Sequence, residues 1–266
     1  MARALVFDSG VGGLSVTSAI RQRMPDLKLD YAADDAFRPY GNKSAAALNE
    51  RLPGLLWSLS HMLESDCIVL ACNTASTTAL PAIRAVVDVP VIGVVPAIKP
   101  AAKASQTGHI GVLGTPGTVK RAYVDRLIKD HAQQCRVTLK GSVKLVDMAE
   151  AKLTGQEVDL KALKAELANF TGQTPPVDQI VLACTHFPLL QDELSACLGA
   201  GVAWVDSGAA IARRVETVLR GLEIEEAKTD DRQYAFTTGH DIGGARQAIF
   251  KDYGFSRLVS LAESAA

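Results

Sequence analysis

The sequence predicts an α/β protein of two pseudo-symmetric domains, each a parallel sheet flanked by helices, with an active site in the cleft between them. Three observations carry this expectation. Short apolar runs alternate with longer helical patterns through most of the 266 residues, the pattern of βαβ units and a parallel sheet. The run Asp66-Cys67-Ile68-Val69-Leu70-Ala71-Cys72 returns 112 residues later as Asp178-Gln179-Ile180-Val181-Leu182-Ala183-Cys184, identical at six of seven positions. Finally, Ala203-Trp204-Val205-Asp206-Ser207-Gly208 resembles the opening Leu5-Val6-Phe7-Asp8-Ser9-Gly10, so the chain is expected to return to the first domain near its end. The expected domains are residues 1–95 with 208–266, and residues 96–207.

The elements follow in order. Arg3 to Phe7 reads as a strand, then the Gly-rich turn Asp8 to Gly13, then a helix from about Leu14 to Met24. Leu29 to Ala33 is the next strand, and after the turn Arg38-Pro39-Tyr40-Gly41-Asn42 a long helix is expected from Ser44 to Leu63. The first copy of the repeat is apolar on both faces, as a buried parallel strand must be. A helix around Pro81 to Val87 and a strand from Val91 to Val95 follow, and Pro90, Pro96 and Pro100 bracket a crossover. The alternation restarts with the strand His109 to Gly114 and the turn Thr115-Pro116-Gly117-Thr118. Then come a helix near Val119 to Ala132, a strand near Val143 to Val146, a helix near Leu160 to Phe170 and the second copy of the repeat. The tail from Glu223 carries no legible role beyond completing the first domain.

Composition removes several function classes. Hydrophobic residues at 48% and charged residues at 21% provide for a packed core. With 28 basic and 29 acidic side chains and no Lys/Arg cluster interleaved with aromatics, nucleic acid is not an expected partner. No segment approaches the roughly 18 consecutive apolar residues of a membrane span, and the run before Asp8 is too short for a signal peptide. Five cysteines without dense spacing fit reduced thiols in the cytoplasm better than a disulfide framework. His61, His109, His131 and His240 show no metal-ligand spacing with the cysteines, so no metal is expected. The turn Gly10-Val11-Gly12-Gly13 matches neither the dinucleotide fingerprint nor a Walker motif. None of Lys43, Lys99 and Lys120 stands out as a Schiff-base lysine, and no cofactor is expected.

The two copies of the repeat deliver Cys72 and Cys184 to the carboxyl ends of strands, where ligands gather in open α/β sheets. Asn73-Thr74-Ala75-Ser76 and Thr185-His186-Phe187-Pro188 carry the capping residues and proline of a helix start, and a helix N-terminus favours a thiolate. Taken singly, a cysteine at a strand end is more often a small buried hydrophobe; its duplication changes that reading. Cys67 within its strand, and Cys197 on a helix with Leu190, Leu194 and Leu198, read as core; Cys135 reads as a loop or strand-edge thiol. A redox dithiol would want Cys-X-X-Cys, which the sequence lacks. Two thiols facing a cleft suit inversion of an amino-acid Cα, where one group removes the proton and another supplies one to the opposite face.

The motifs Phe7-Asp8-Ser9-Gly10-Val11-Gly12-Gly13-Leu14, Pro39-Tyr40-Gly41, Ala71-Cys72-Asn73-Thr74-Ala75, Gly114-Thr115 with Thr118, and Ala183-Cys184-Thr185-His186-Phe187-Pro188-Leu189-Leu190 resemble the glutamate branch of the cofactor-independent aspartate/glutamate racemases over nearly the whole chain. The resemblance implies that Cys72 and Cys184 are the catalytic acid/bases, with Asp8 and His186 assisting the adjacent thiols. It implies substrate contacts at Asp8, Ser9, Pro39, Tyr40, Gly41, Asn73, Thr74, Thr115, Thr118, Thr185 and His186, and possible supporting carboxylates at Asp34 and Glu150. It further implies that Cys72 deprotonates D-glutamate and Cys184 L-glutamate, and that the product feeds peptidoglycan synthesis. The oligomeric state varies within that family, and a homodimer is the expectation for this chain. Two alternatives remain at this point: an aspartate or related racemase of the same superfamily, and a two-lobe module that only binds a small molecule.

Overall fold

The structure, a computed structural model, describes residues 2–223 and 232–262; residues 224–231 and 263–266, expected in the first domain, lie outside the described residues. The chain divides into two compact units: the described residues of Met1–Val94 with Gly208–Ala266, and Val95–Ser207.

The first unit begins with β1 (Arg3–Asp8), buried at all six positions. It continues through α1 (Leu14–Arg23), β2 (Lys28–Ala33), α2 (Ala45–Met62), β3 (Cys67–Leu70), α3 (Asn73–Arg84) and β4 (Val91–Gly93). Ser44 starts α2 by accepting a 3.1 Å hydrogen bond from Ala47 N–H, a cap worth about 1 kcal/mol. Leu48, Leu52, Leu56 and Leu59 then form the buried stripe of α2, at the spacing that keeps one helix face on the sheet.

The helix expected at Pro81 to Val87 instead starts at Asn73, directly after Cys72, and Pro81 lies inside it. Ala75, Ala79 and Ile83, four residues apart, are all fully buried, and that stripe outweighs the proline as a helix signal.

The second unit contains α4 (Ile98–Ala104), β5 (His109–Gly114), α5 (Pro116–Val119), α6 (Ala122–His131), β6 (Arg136–Gly141), α7 (Lys144–Leu153), α8 (Leu160–Glu166), β7 (Gln179–Ala183), α9 (Gln191–Leu198) and β8 (Ala203–Val205). The expectation of a strand at Val143 to Val146 is overturned, because most of that run opens α7. Leu145 and Ala149 are its buried pair, a helical spacing, whereas the strand is the alternating Arg136-Val137-Thr138-Leu139-Lys140 just before it. The helix expected over Val119 to Ala132 is broken at Lys120-Arg121 into α5 and α6. On β7, Ile180 and Leu182 join one core cluster while Val181 and Ala183 join another, so helices cover both faces of the sheet.

The chain then re-enters the first unit with α10 (Gly208–Arg220), β9 (Tyr234–Thr237), α11 (Gly244–Asp252) and β10 (Arg257–Ser260). Among the described residues every strand pairing is parallel. The six-stranded sheet runs β10-β9-β2-β1-β3-β4 and the four-stranded sheet β6-β5-β7-β8. The run β2-β1-β3-β4 therefore has the same order as β6-β5-β7-β8, and β3 and β7, the two copies of the sequence repeat, occupy equivalent places. Their leading aspartates act alike: Asp66 accepts from Arg3 N–H at 2.7 Å, and Asp178 accepts from Gln106 and Thr107 N–H at 2.6 and 3.0 Å. Each carboxylate ties the start of its strand to the segment that leads into, or opens, the neighbouring one. Among the described residues no helix is long and apolar enough to cross a membrane.

Candidate active site

In the first unit Phe7 is paired with Leu70, so Asp8-Ser9 and Ala71-Cys72 leave adjacent strands side by side. The Cys72 thiol, 6% exposed, donates to Ser9 Oγ at 3.7 Å. Asp8 is fully buried, and its carboxylate accepts from Gly10 N–H at 2.9 Å, folding the turn back on itself. Gly13 is required here, because a Cβ would lie 2.7 Å from Tyr31 Oη and 2.8 Å from Asp8 Cβ. Cys72 itself is the residue preceding α3, and the first N–H groups of a helix have no acceptor within it. Asn73 and Thr74 in that first turn are buried, and Asn73 Oδ1 meets no hydrogen-bond donor among the described residues.

Tyr40–Asn42 is a short 3₁₀ turn, preceded by Pro39 at its N-cap, with Tyr40 buried. Tyr40 Oη donates to Asp34 Oδ2 at 2.6 Å. Asp34, fully buried, also accepts two bonds from Arg51 of α2, at 2.7 and 2.6 Å, and one from Thr238 Oγ1 at 2.7 Å. Burial alone would raise its pKa, but the hydrogen bonds from Arg51, Thr238 and Tyr40 with the Arg51 charge hold it below the usual carboxylate range. Burial, then the neighbouring Asp34 charge, pushes the Tyr40 phenol well above its ordinary value. Asp34 therefore ties the Tyr40 turn, α2 and the Thr238 segment together. Sequence reasoning missed Arg51 and Thr238, and neither carries a motif that would have marked it.

In the second unit Gly114 is paired with Ala183, so Thr115 and Cys184 stand in the relation that Asp8 and Ala71 hold in the first unit, offset by one residue. Thr115 caps α5, and its hydroxyl lies 3.0 Å from that of Thr118. Cys184, 7% exposed, has its sulfur 3.9 Å from His186 Nδ1, and His186 Nε2 lies 3.2 Å from Glu150 Oε1 on α7. Thr185 and His186 are buried. The expected α-helix start after Cys184 is corrected: a 3₁₀ turn over Phe187–Leu190 intervenes before α9. The thiols thus have different neighbours, a helix N-terminus and a serine hydroxyl for Cys72, an imidazole backed by a carboxylate for Cys184.

Cys67 is fully buried in β3, where burial and then Asp66 push its thiol up to about 12. Cys197 is half-buried and donates to the Leu160 carbonyl, and Cys135 is half-buried before β6. Among the described residues no group of three or more His, Cys, Asp or Glu could hold a metal ion.

Two parallel α/β units of shared strand order, each with a thiol following its equivalent strand, define the class. The chain belongs to the Asp/Glu/Hydantoin racemase family, whose sequence model matches residues 12–215. Its relatives include the glutamate racemase of Escherichia coli K12, 47% identical over 259 residues that cover 97% of this chain and 90% of that one. A crystal structure of Escherichia coli glutamate racemase in complex with L-glutamate and the activator UDP-MurNAc-Ala aligns with a TM-score of 0.93 at 46% identity, covering 98% of each chain. A glutamate racemase isoform from Bacillus anthracis aligns at 0.80 with 27% identity, covering 97% of this chain and 96% of that one.

Proposed function

We propose that this chain interconverts L- and D-glutamate without a cofactor, using Cys72 and Cys184 as the two acid/bases. The observation that carries the reading is the equivalence of the two thiols, each following the third strand of the shared order. One thiolate removes the Cα proton and becomes a thiol. The electron pair left behind delocalises into the α-carboxylate as Cα flattens, and the opposite thiol delivers its own proton to the other face and becomes a thiolate. Starting from D-glutamate, Cys72 is the base; starting from L-glutamate, Cys184 is.

The roles of the neighbours follow from their chemistry. Asp8 and the buried Asn73 Oδ1, acceptors beside Cys72, suit the substrate ammonium. The hydroxyls of Ser9, Thr74, Thr115, Thr118 and Thr185, with backbone N–H groups at Gly41 and the start of α3, suit the two carboxylates. Such fixed donors stabilise the charge that develops at the α-carboxylate, often the largest catalytic contribution. His186, supported by Glu150, exchanges a proton with Cys184, and Asp34 holds Tyr40 of the Pro39-Tyr40-Gly41 turn in place.

Five cysteines without dense spacing support a reducing, cytoplasmic setting, where D-glutamate would supply peptidoglycan synthesis, and the assembly we propose is a homodimer. The test follows optical activity of L-glutamate in deuterated buffer with no added cofactor, with mass analysis of the product. Loss of rotation together with one deuterium at Cα supports the reading. Inertness toward glutamate with turnover of aspartate would move the substrate, and inertness toward both would remove the reaction.

A further inference from the structure

Tyr31 of β2 is fully buried, and no motif marked it in the sequence. Its ring packs against two aromatic rings of the returning segment, Phe250 at 5.4 Å and Phe255 at 5.9 Å between centroids, and these lie 6.1 Å from each other. A buried tyrosine hydroxyl needs a polar partner, and Tyr31 Oη finds one by donating to the Gly10 carbonyl at 2.8 Å. On the other side of the same residue, Gly10 N–H donates to Asp8 Oδ2 at 2.9 Å. The Asp8-Ser9-Gly10 turn is therefore pinned through both polar groups of Gly10, and Ser9, inside that turn, presents its Oγ 3.7 Å from the Cys72 sulfur. Gly13 leaves the space the phenol oxygen occupies.

We infer that Tyr31 is a positioning residue for Cys72, through which the aromatic pair Phe250 and Phe255 holds the Asp8-Ser9-Gly10 turn in register with the thiol. The bland alternative is a core-filling ring whose hydroxyl takes the nearest carbonyl with no consequence for Cys72. The inference rests on the two-thiol reading for its catalytic meaning, although its geometry lies wholly within the first unit.

Tyr31→Phe separates the two, because it keeps the ring and its aromatic contacts and removes only the donor to Gly10. The measurement is the pH dependence of iodoacetamide labelling, resolved by peptide mass into Cys72 and Cys184, beside racemisation of glutamate. Cys184 is the internal control, since it lies in the other unit. Expected are a folded protein by circular dichroism, a displaced Cys72 labelling profile and an unchanged Cys184 profile. Loss of one neutral hydrogen bond should lower kcat about five-fold. Phe250→Leu, which loosens the ring but keeps the hydroxyl, should displace the Cys72 profile in the same sense and by less, and it carries the test should Tyr31→Phe not fold. Wild-type profiles at both cysteines, or equal displacement of both, would overturn the inference. A wild-type protein that leaves glutamate untouched would overturn the racemase reading instead, while the Cys72-selective labelling would still decide the role of Tyr31.

Discussion

Nε2 of His186 lies 3.2 Å from Oε1 of Glu150. An ionised carboxylate only accepts, so this contact assigns the ring proton to Nε2 and leaves Nδ1 facing the Cys184 sulfur. In the proposed mechanism Glu150 stabilises the imidazolium that forms when His186 takes up a proton. A hydrogen bond to a charged group is worth about 1.5–3 kcal/mol, roughly 10- to 100-fold in rate. Because Glu150 is partly exposed, at 22% for its side chain, Glu150→Gln should fall at the low end, about ten-fold in kcat. Because the two enantiomers are equal in free energy, kcat/KM should fall by the same factor from L-glutamate and from D-glutamate. Initial rates from each enantiomer measure the loss, and a variant with wild-type kcat/KM would remove Glu150 from the support of His186.

Replacing either proposed acid/base should stop turnover without unfolding the chain. Cys72→Ser and Cys184→Ser change a buried sulfur for a smaller hydroxyl, and each should lower racemisation at least about a thousand-fold, within the range for loss of a positioned acid/base. Circular dichroism of the folded variants is the control. Activity surviving in either variant would leave the two-base mechanism without its symmetric pair.

Asp34 should make stability depend on pH. Its carboxyl is held below its unfolded value, so its stabilisation is complete above the unfolded pKa of about 4 and disappears as pH falls through the folded pKa. Arg51→Ala leaves that carboxylate buried without its bidentate partner and should cost about 3 kcal/mol at neutral pH, the lower end for a broken buried pair. Urea unfolding at pH 7 and at pH 3.5 measures both effects, and the gap between wild type and Arg51→Ala should narrow at the lower pH.

Gly13→Ala should be damaging even though alanine is the better helix former. The added methyl meets Tyr31 Oη and the Asp8 Cβ at once, and overpacking of this kind costs about 1–3 kcal/mol. Thermal melting would show the loss; a melting temperature at or above wild type would mean that the turn relaxes freely.

Cys67 should stay unlabelled in the folded protein. With its thiol pushed up to about 12 and its side chain fully buried, almost no thiolate exists at pH 8. Mass analysis after brief iodoacetamide treatment should find Cys67 modified only in urea.

Most of the fold was legible because a parallel sheet buried on both faces leaves apolar runs that stand out against helical spacing. β1, β3, β5 and β7 all have that character. The errors fell where one cue competed with another: Pro81 suggested a helix start, whereas Ala75, Ala79 and Ile83 placed the helix earlier. Val143 to Val146 resembled a strand only because its helical partner Ala149 lies beyond so short a window. The thiols were legible through their repeat. The partners that brace the surrounding residues were not, since Arg51 reaches Asp34 across 17 positions and Thr238 across 204, distances over which local pattern carries no information.

The returning segment has a consequence for synthesis. Asp30 is fully buried, with one oxygen on Arg3 and the other accepting from Tyr234 N–H at 2.8 Å, while β2 takes β9 as its outer neighbour. On a ribosome that emits the chain from its N-terminus, residues 95–207 have all emerged before Tyr234 does. The four-stranded sheet can close while the six-stranded one still presents β2 as a bare edge and Asp30 lacks its bond from Tyr234. The first unit is thus begun before the second and finished after it, and a nascent chain halted between the two events would expose the unpaired backbone that invites edge-to-edge association.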